Sequence, residues 1–167
     1  FISSLLASLV LCSCSNKTEE PLPTNEKMVV YQMIPRIYGN DNLTNKFAGT
    51  YAENGSGKMN DVTPEALASI KELGVTHVWY TGILQQGTKT DWSEYGVHRQ
   101  NPDIIKGEAG SPYAISDYYS VNFELAVDPA KRMEEFEALV KRTHEAGMKV
   151  MLDFIPNHVA REYKSVM

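Results

Sequence analysis

The chain has 167 residues, 43% of them hydrophobic and 22% charged, with a formal net charge of −5. That is enough apolar material for one core and fits a soluble domain, while the acidic balance and the lack of a Lys/Arg cluster exclude a nucleic-acid footprint. Both cysteines, Cys12 and Cys14, lie near the N-terminus, so the remainder carries no disulfide framework and no thiolate metal site.

Phe1 to Leu11 is apolar and small, and reads as the h-region of a secretory signal without its basic n-region. The chain starts at Phe1 rather than Met, so it is read as a piece of a longer sequence. In Leu11-Cys12-Ser13-Cys14 a leucine precedes a cysteine by three positions with small residues between, which resembles a bacterial lipoprotein signal. Residues 1–13 would then be the signal segment, Cys14 the lipid-modified N-terminus, and 14–27 a polar tether to a membrane anchor, periplasmic or at the cell surface. An ordinary secretory signal with two idle cysteines is the plainer alternative. No later stretch approaches the ~18 consecutive apolar residues of a membrane helix.

Met28 to Tyr38 is rich in β-branched and aromatic residues and reads as a first strand, with Pro35 near its end. Gly39 to Asn60 is rich in Gly and Asn and reads as a surface loop. Thr63-Pro64 starts a helix as cap and first residue, Leu67, Ile70 and Leu73 give it an apolar face, and Gly74 stops it. Val75 to Thr81 is strongly β-prone and reads as a second strand; its His77 is taken as a core residue.

Gly82 to Val127 shows no helical period. Loops of such length inside a compact domain are usually functional or disordered. This one carries Trp92, Tyr95, His98, Tyr113, Tyr118, Tyr119 and Phe123, and disordered segments are poor in aromatics. It is therefore read as an ordered binding loop, in which aromatic faces suit sugar rings; the plainer reading, that they pin the loop to the scaffold, holds for many of them singly.

Asp128-Pro129 repeats the cap-plus-proline start, Met133, Phe136, Leu139, Val140 and Thr143 line one helical face, and Gly147 ends the helix. The third strand is the centre of the chain. Val150-Met151-Leu152 is a buried apolar run, and Asp153, Asn157 and His158 gather at its C-terminal end, where parallel α/β folds bind ligands. The strand–helix–strand–helix–strand order, with short helix-to-strand and long strand-to-helix connections, predicts right-handed βαβ units whose functional loops share one end. No G-x-G-x-x-G and no P-loop is present. The prediction is the N-terminal part, about three βα units, of a (β/α)8 TIM barrel over residues 28–167.

Asp153-Phe-Ile-Pro-Asn157-His158 resembles the D-x-x-x-N-H region of the α-amylase family, glycoside hydrolase family 13, and it stands at the third strand end as in that family. Tyr113-Ala-Ile-Ser-Asp117-Tyr-Tyr resembles the family's G-Y-x-x-x-D-Y segment, although Ser111-Pro112 here separate Gly110 from the tyrosine. Tyr31-Gln-Met-Ile-Pro-Arg and Leu73-Gly-Val-Thr-His-Val-Trp add to the resemblance, which spans Met28 to Tyr163.

The resemblance implies roles. His158 would donate a hydrogen bond to a sugar hydroxyl at the reacting ring, and Tyr113 would stack beneath that ring. Asp153 would orient its neighbours in the strand-end layer, including an arginine near the nucleophile, and Asp117 would hold the loop. Asn157 matches a residue that ligates structural calcium in many members, with the other ligands coming from beyond Met167, since calcium takes six to eight oxygens. Retaining glycosidases use a nucleophile and an acid/base about 5 Å apart. The resemblance puts both on later strands, so no catalytic carboxylate is expected in this chain, and the fragment alone is expected to be inactive. As the intact protein it implies an α-glucan hydrolase acting on starch, maltodextrin or related chains, or a transglycosylase or isomerase of the same family. A non-catalytic glycan-binding surface lipoprotein on an amylase-like scaffold is the rival; lack of an R-x-D segment at the fourth strand end would favour it.

Overall fold

A computed structural model of the chain describes residues 27–167; the signal segment, Cys14 and nearly all of the tether lie outside the described residues. In chain order the elements are β1 (Val30–Met33), α1 (Tyr51–Asn54), α2 (Pro64–Glu72), β2 (His77–Tyr80), β3 (Leu84–Gln86), β4 (Ile115–Val121), α3 (Arg132–Glu145) and β5 (Lys149–Leu152). Short 3-10 turns punctuate the connecting chain.

Three strands form a parallel sheet in the order β1–β2–β5. Register aligns Tyr31, Val78 and Val150 across it, and then Met33, Tyr80 and Leu152. Side chains on paired positions of a parallel sheet share a face. Val78 and Tyr80 are wholly buried there, in one core with Leu67 and Ile70 of α2 and Leu139 of α3. The Tyr80 hydroxyl lies 2.7 Å from Thr143 Oγ1, which donates to the Leu139 carbonyl at 2.8 Å, so the phenol is the donor of the pair. Burial pushes the Tyr80 pKa up, which keeps that donor protonated.

Thr63 caps α2 as expected: its Oγ1 accepts from Ala66 N at 3.2 Å, with Pro64 following. Leu67 and Ile70 are buried, but Leu73 is 70% exposed, because the helix stops at Glu72 and Gly74, at φ +80, turns the chain away. At the second helix Asp128 caps a 3-10 turn, Pro129–Lys131, and the α-helix proper begins at Arg132. Leu139 and Thr143 are its buried face; Met133 is exposed.

Two readings of the strands need correction. The first strand is shorter than Met28 to Tyr38: past Met33 the backbone turns, with the Ile37 and Tyr38 amides both donating to Ile34 O. The third strand is an outer strand among the described residues, so Lys149 and Leu152 are exposed and Val150 and Met151 half-buried.

Gly82 to Val127 is not only loop. β3 and β4 pair antiparallel within it as a second sheet, with an irregular register linking Leu84 to Val121, Gln85 to Asp117 and Gln86 to Ile115. Polar Gln85, Gln86, Ser116, Asp117 and Ser120 are buried in these strands beside Ile115 and Val121, so the alternation that marks a half-buried strand never appears.

Candidate active site

The long segments after β1 and β2, and the chain after β5, all leave the C-terminal ends of the parallel strands. Asp153 follows β5 immediately. Its Oδ1 accepts the Trp79 indole N–H at 2.8 Å and its Oδ2 accepts the Gly82 amide at 3.0 Å. One carboxylate therefore ties the central strand, and the chain leaving it, to the end of β5. Among the described residues no arginine reaches Asp153.

Tyr113 is joined to this layer through the backbone. A Cβ built on Gly82 would stand 3.1 Å from Pro112 Cβ, so the residue before Tyr113 packs against the residue that Asp153 holds. Tyr113 is 45% exposed. His158 is exposed as well, with Nδ1 3.1 Å from Asn157 Oδ1. An amide oxygen only accepts, so in this arrangement the proton sits on Nδ1 and Nε2 is left as an acceptor. A sugar hydroxyl both donates and accepts, so it can bond that nitrogen in either tautomer.

The backbone holds Tyr113 and His158 in one neighbourhood. The Ala160 amide donates to Ile115 O at 2.7 Å, and each residue lies just upstream of one end of that bond. More clamps follow along β4: the Tyr118 hydroxyl donates to Ile155 O, the Lys164 amide to Ser116 O at 3.0 Å, and the Val166 amide to Asp117 Oδ2 at 2.9 Å. Asp117, 1% exposed, also takes the Tyr119 amide at 2.8 Å. Its carboxylate is committed to holding the segment that carries Asn157 and His158 against the inserted sheet.

The aromatics of the insertion divide. Trp92 stacks on Phe123, with ring centroids 5.5 Å apart and planes at 19°, while Tyr51 meets the indole edge-on and Tyr95 packs on both. These rings pack the insertion on itself and against Tyr51 of the segment that follows β1. Tyr118 packs on Tyr163. Tyr113 and Tyr119 keep exposed rings that a ligand could meet.

Among the described residues no group of three His, Cys, Asp or Glu side chains could hold an ion, and Asn157 Oδ1 already faces His158. Asn157 would be one of the six to eight oxygens that calcium requires.

A feature that the sequence reading missed lies beside this layer. Glu124 is fully buried; its Oε1 accepts from Thr88 at 2.8 Å and Thr90 at 2.7 Å, and its Oε2 pairs with the Arg36 guanidinium. Arg36 and Glu124 line an open cleft of about 550 Å³ together with the Asn40–Gly55 loop and Gly107–Ala109. The signal was an acid set inside the apolar run Phe123-Glu124-Leu125-Ala126. The cleft loop is stapled by its own amides: Asn40 donates to Asn54 O, Asn42 to Glu53 O, and Asn54 to Lys46 O, at 2.9–3.1 Å. Lys46, then the amide and hydroxyl of Thr50, lower the Glu53 carboxyl from 4.5 to about 2.

Parallel βαβαβ topology with its longest insertions at the strand ends fits the N-terminal part of a (β/α)8-barrel, and solved structures similar to it include amylase-family barrels. The α-amylase of Lactobacillus plantarum is one, at TM-score 0.53 and 31% identity over 83% of this chain and 24% of that one. The chain belongs to the α-amylase family: the family model for the alpha amylase catalytic domain matches residues 41–166. Among curated relatives, trehalose-6-phosphate hydrolase of Bacillus subtilis (strain 168) is 32% identical over 148 residues, covering 89% of this chain and 20% of that protein. Maltase A1 of Drosophila melanogaster is 29% identical over 132 residues, covering 79% of this chain and 17% of that protein. The chain thus spans about a fifth of the length of these relatives.

Proposed function

We propose that the intact protein is a retaining glycoside hydrolase of α-glucans such as starch or maltodextrin. The observation that carries this is the Asp153-to-His158 segment at the end of β5, tied through the Ala160–Ile115 backbone bond to the strand that follows Tyr113, in a chain whose relatives are named as a maltase and a trehalose-6-phosphate hydrolase. His158 bonds a hydroxyl of the reacting ring, Tyr113 stacks beneath it, and Asp153 and Asp117 hold the strand-end layer and the clamped segment. The family resemblance puts the nucleophile and the acid/base, about 5 Å apart, on later strands outside this chain, while Asp153 and Asp117 bind backbone or indole donors and serve as supports. Asn157 is one calcium ligand in this reading, with its companions also outside the chain.

Cys14 is the lipid-modified N-terminus that anchors the secreted enzyme to a bacterial membrane, in the periplasm or at the cell surface. Support comes from Leu11-Cys12-Ser13-Cys14 behind an apolar stretch. A Cys14→Ala variant that still partitions into detergent would overturn the anchor. The hydrolase reading is tested by incubating the full-length protein with starch, maltodextrin and pullulan: release of reducing sugar from at least one is expected, and three untouched substrates would refute it.

A further inference from the structure

Two polar atoms deep in the insertion are left without protein partners among the described residues: the indole N–H of Trp92 and the side-chain oxygen of Gln100. Both residues are only 9% exposed. Buried polar groups are nearly always hydrogen-bonded, and an orphaned one weighs against the folded state. Both residues line the same small cavity, which also meets Thr88, His98 and Ser116. Its free volume is about 20 Å³. A water needs about 10–15 Å³ by that measure and two to four polar partners.

We infer that this cavity is a built site for one structural water, which accepts from Trp92 Nε1 and donates to Gln100 Oε1. The chemistry of the pair selects the ligand. An indole N–H only donates, so a cation is repelled there; an amide oxygen only accepts, so an anion is repelled at the other side. A neutral molecule with both functions, no larger than water, satisfies both. The amide orientation is fixed independently, because Gln100 Nε2 donates to Glu162 O at 3.1 Å, and turning the amide over would set two oxygens against each other. Gly87 packs beside the amide: a Cβ there would stand 3.4 Å from Gln100 Oε1.

The site has a consequence for the fold. Trp92 belongs to the aromatic stack on Phe123, while Gln100 grips the chain at Glu162, just past His158. The water completes a link from the insertion's aromatic core to the segment that follows His158. The inference does not depend on whether the intact protein cleaves glucans.

A crystal structure of the full-length protein at a resolution that shows ordered solvent is the test. One full-occupancy water within hydrogen-bond distance of both Trp92 Nε1 and Gln100 Oε1 is expected. A dry cavity, or a direct Trp92–Gln100 bond, overturns the inference. A second measurement uses Tm values for Trp92→Phe, Gln100→Met and the double variant. Coupling through a shared water makes the double loss of Tm smaller than the sum of the single losses. Additive losses overturn it.

Discussion

The carboxylate of Asp153 accepts the Trp79 indole N–H at 2.8 Å across two neighbouring parallel strands. The same carboxylate takes the Gly82 amide at the start of the insertion, so one acid fixes where the insertion departs from the sheet. Asp153→Ala strands both donors and should cost about 2–3 kcal/mol, the scale of charge-assisted hydrogen bonds. Asp153→Asn keeps one acceptor and should cost about half as much. Urea midpoints of the full-length protein measure both; equal stability of the alanine variant and the parent would show that the tie carries no weight.

The buried Glu124 gives the second expectation. Arg36→Ala leaves a carboxylate in the interior with only Thr88 and Thr90 for partners, and removing one member of a buried pair costs about 3–5 kcal/mol. Glu124→Gln keeps an acceptor for the threonines without the charge, and should be the milder change. Denaturant unfolding that ranks the two in the opposite order would contradict the network.

Tyr113 separates packing from ligand contact. Its ring is 45% exposed, so Tyr113→Ala should alter stability by no more than about 0.5 kcal/mol. If the ring stacks on sugar, KM for maltodextrin should rise up to about tenfold in Tyr113→Ala and change little in Tyr113→Phe, since stacking needs the ring and not the hydroxyl. Equal KM values for all three proteins would remove Tyr113 from the site.

Acid should loosen the cleft loop before it reaches the core. The folded Glu53 carboxyl titrates at about 2 against an ordinary 4.5, so its contribution is complete above about 4.5 and is lost as pH falls toward about 2. Being exposed, it acts locally. Hydrogen exchange in residues 40–55 should stay constant from pH 7 to 5, after correction for intrinsic rates, and quicken below 4.5. Lys46→Met should produce the same quickening at neutral pH. Protection unaffected by that substitution would show that the Lys46–Glu53 pair does not hold the loop.

The parts legible in the sequence were those governed by local chemistry. Thr63-Pro64 and Asp128-Pro129 announce helix starts because a cap oxygen and a preset φ act within a few residues. The strand-end position of Asp153 was visible because a carboxylate stands where an apolar strand should simply end. The β3–β4 sheet was not legible: Leu84-Gln85-Gln86 is short, and buried Asp117 and Ser116 are satisfied by partners distant in sequence. Trp92 and Phe123 were read with the rest of a binding loop, yet they face each other, which only tertiary contact decides. Arg36 was read only as the end of a motif, because its partner Glu124 lies far away in sequence and only tertiary contact brings the two together.

The most direct test is NMR detection of the anomer first released when the full-length protein acts on maltodextrin. A retaining α-glucan hydrolase releases the α-anomer, which then mutarotates, and that is the expected result. Initial release of the β-anomer would contradict the retaining mechanism, and intact maltodextrin, starch and pullulan would contradict glucan hydrolysis itself.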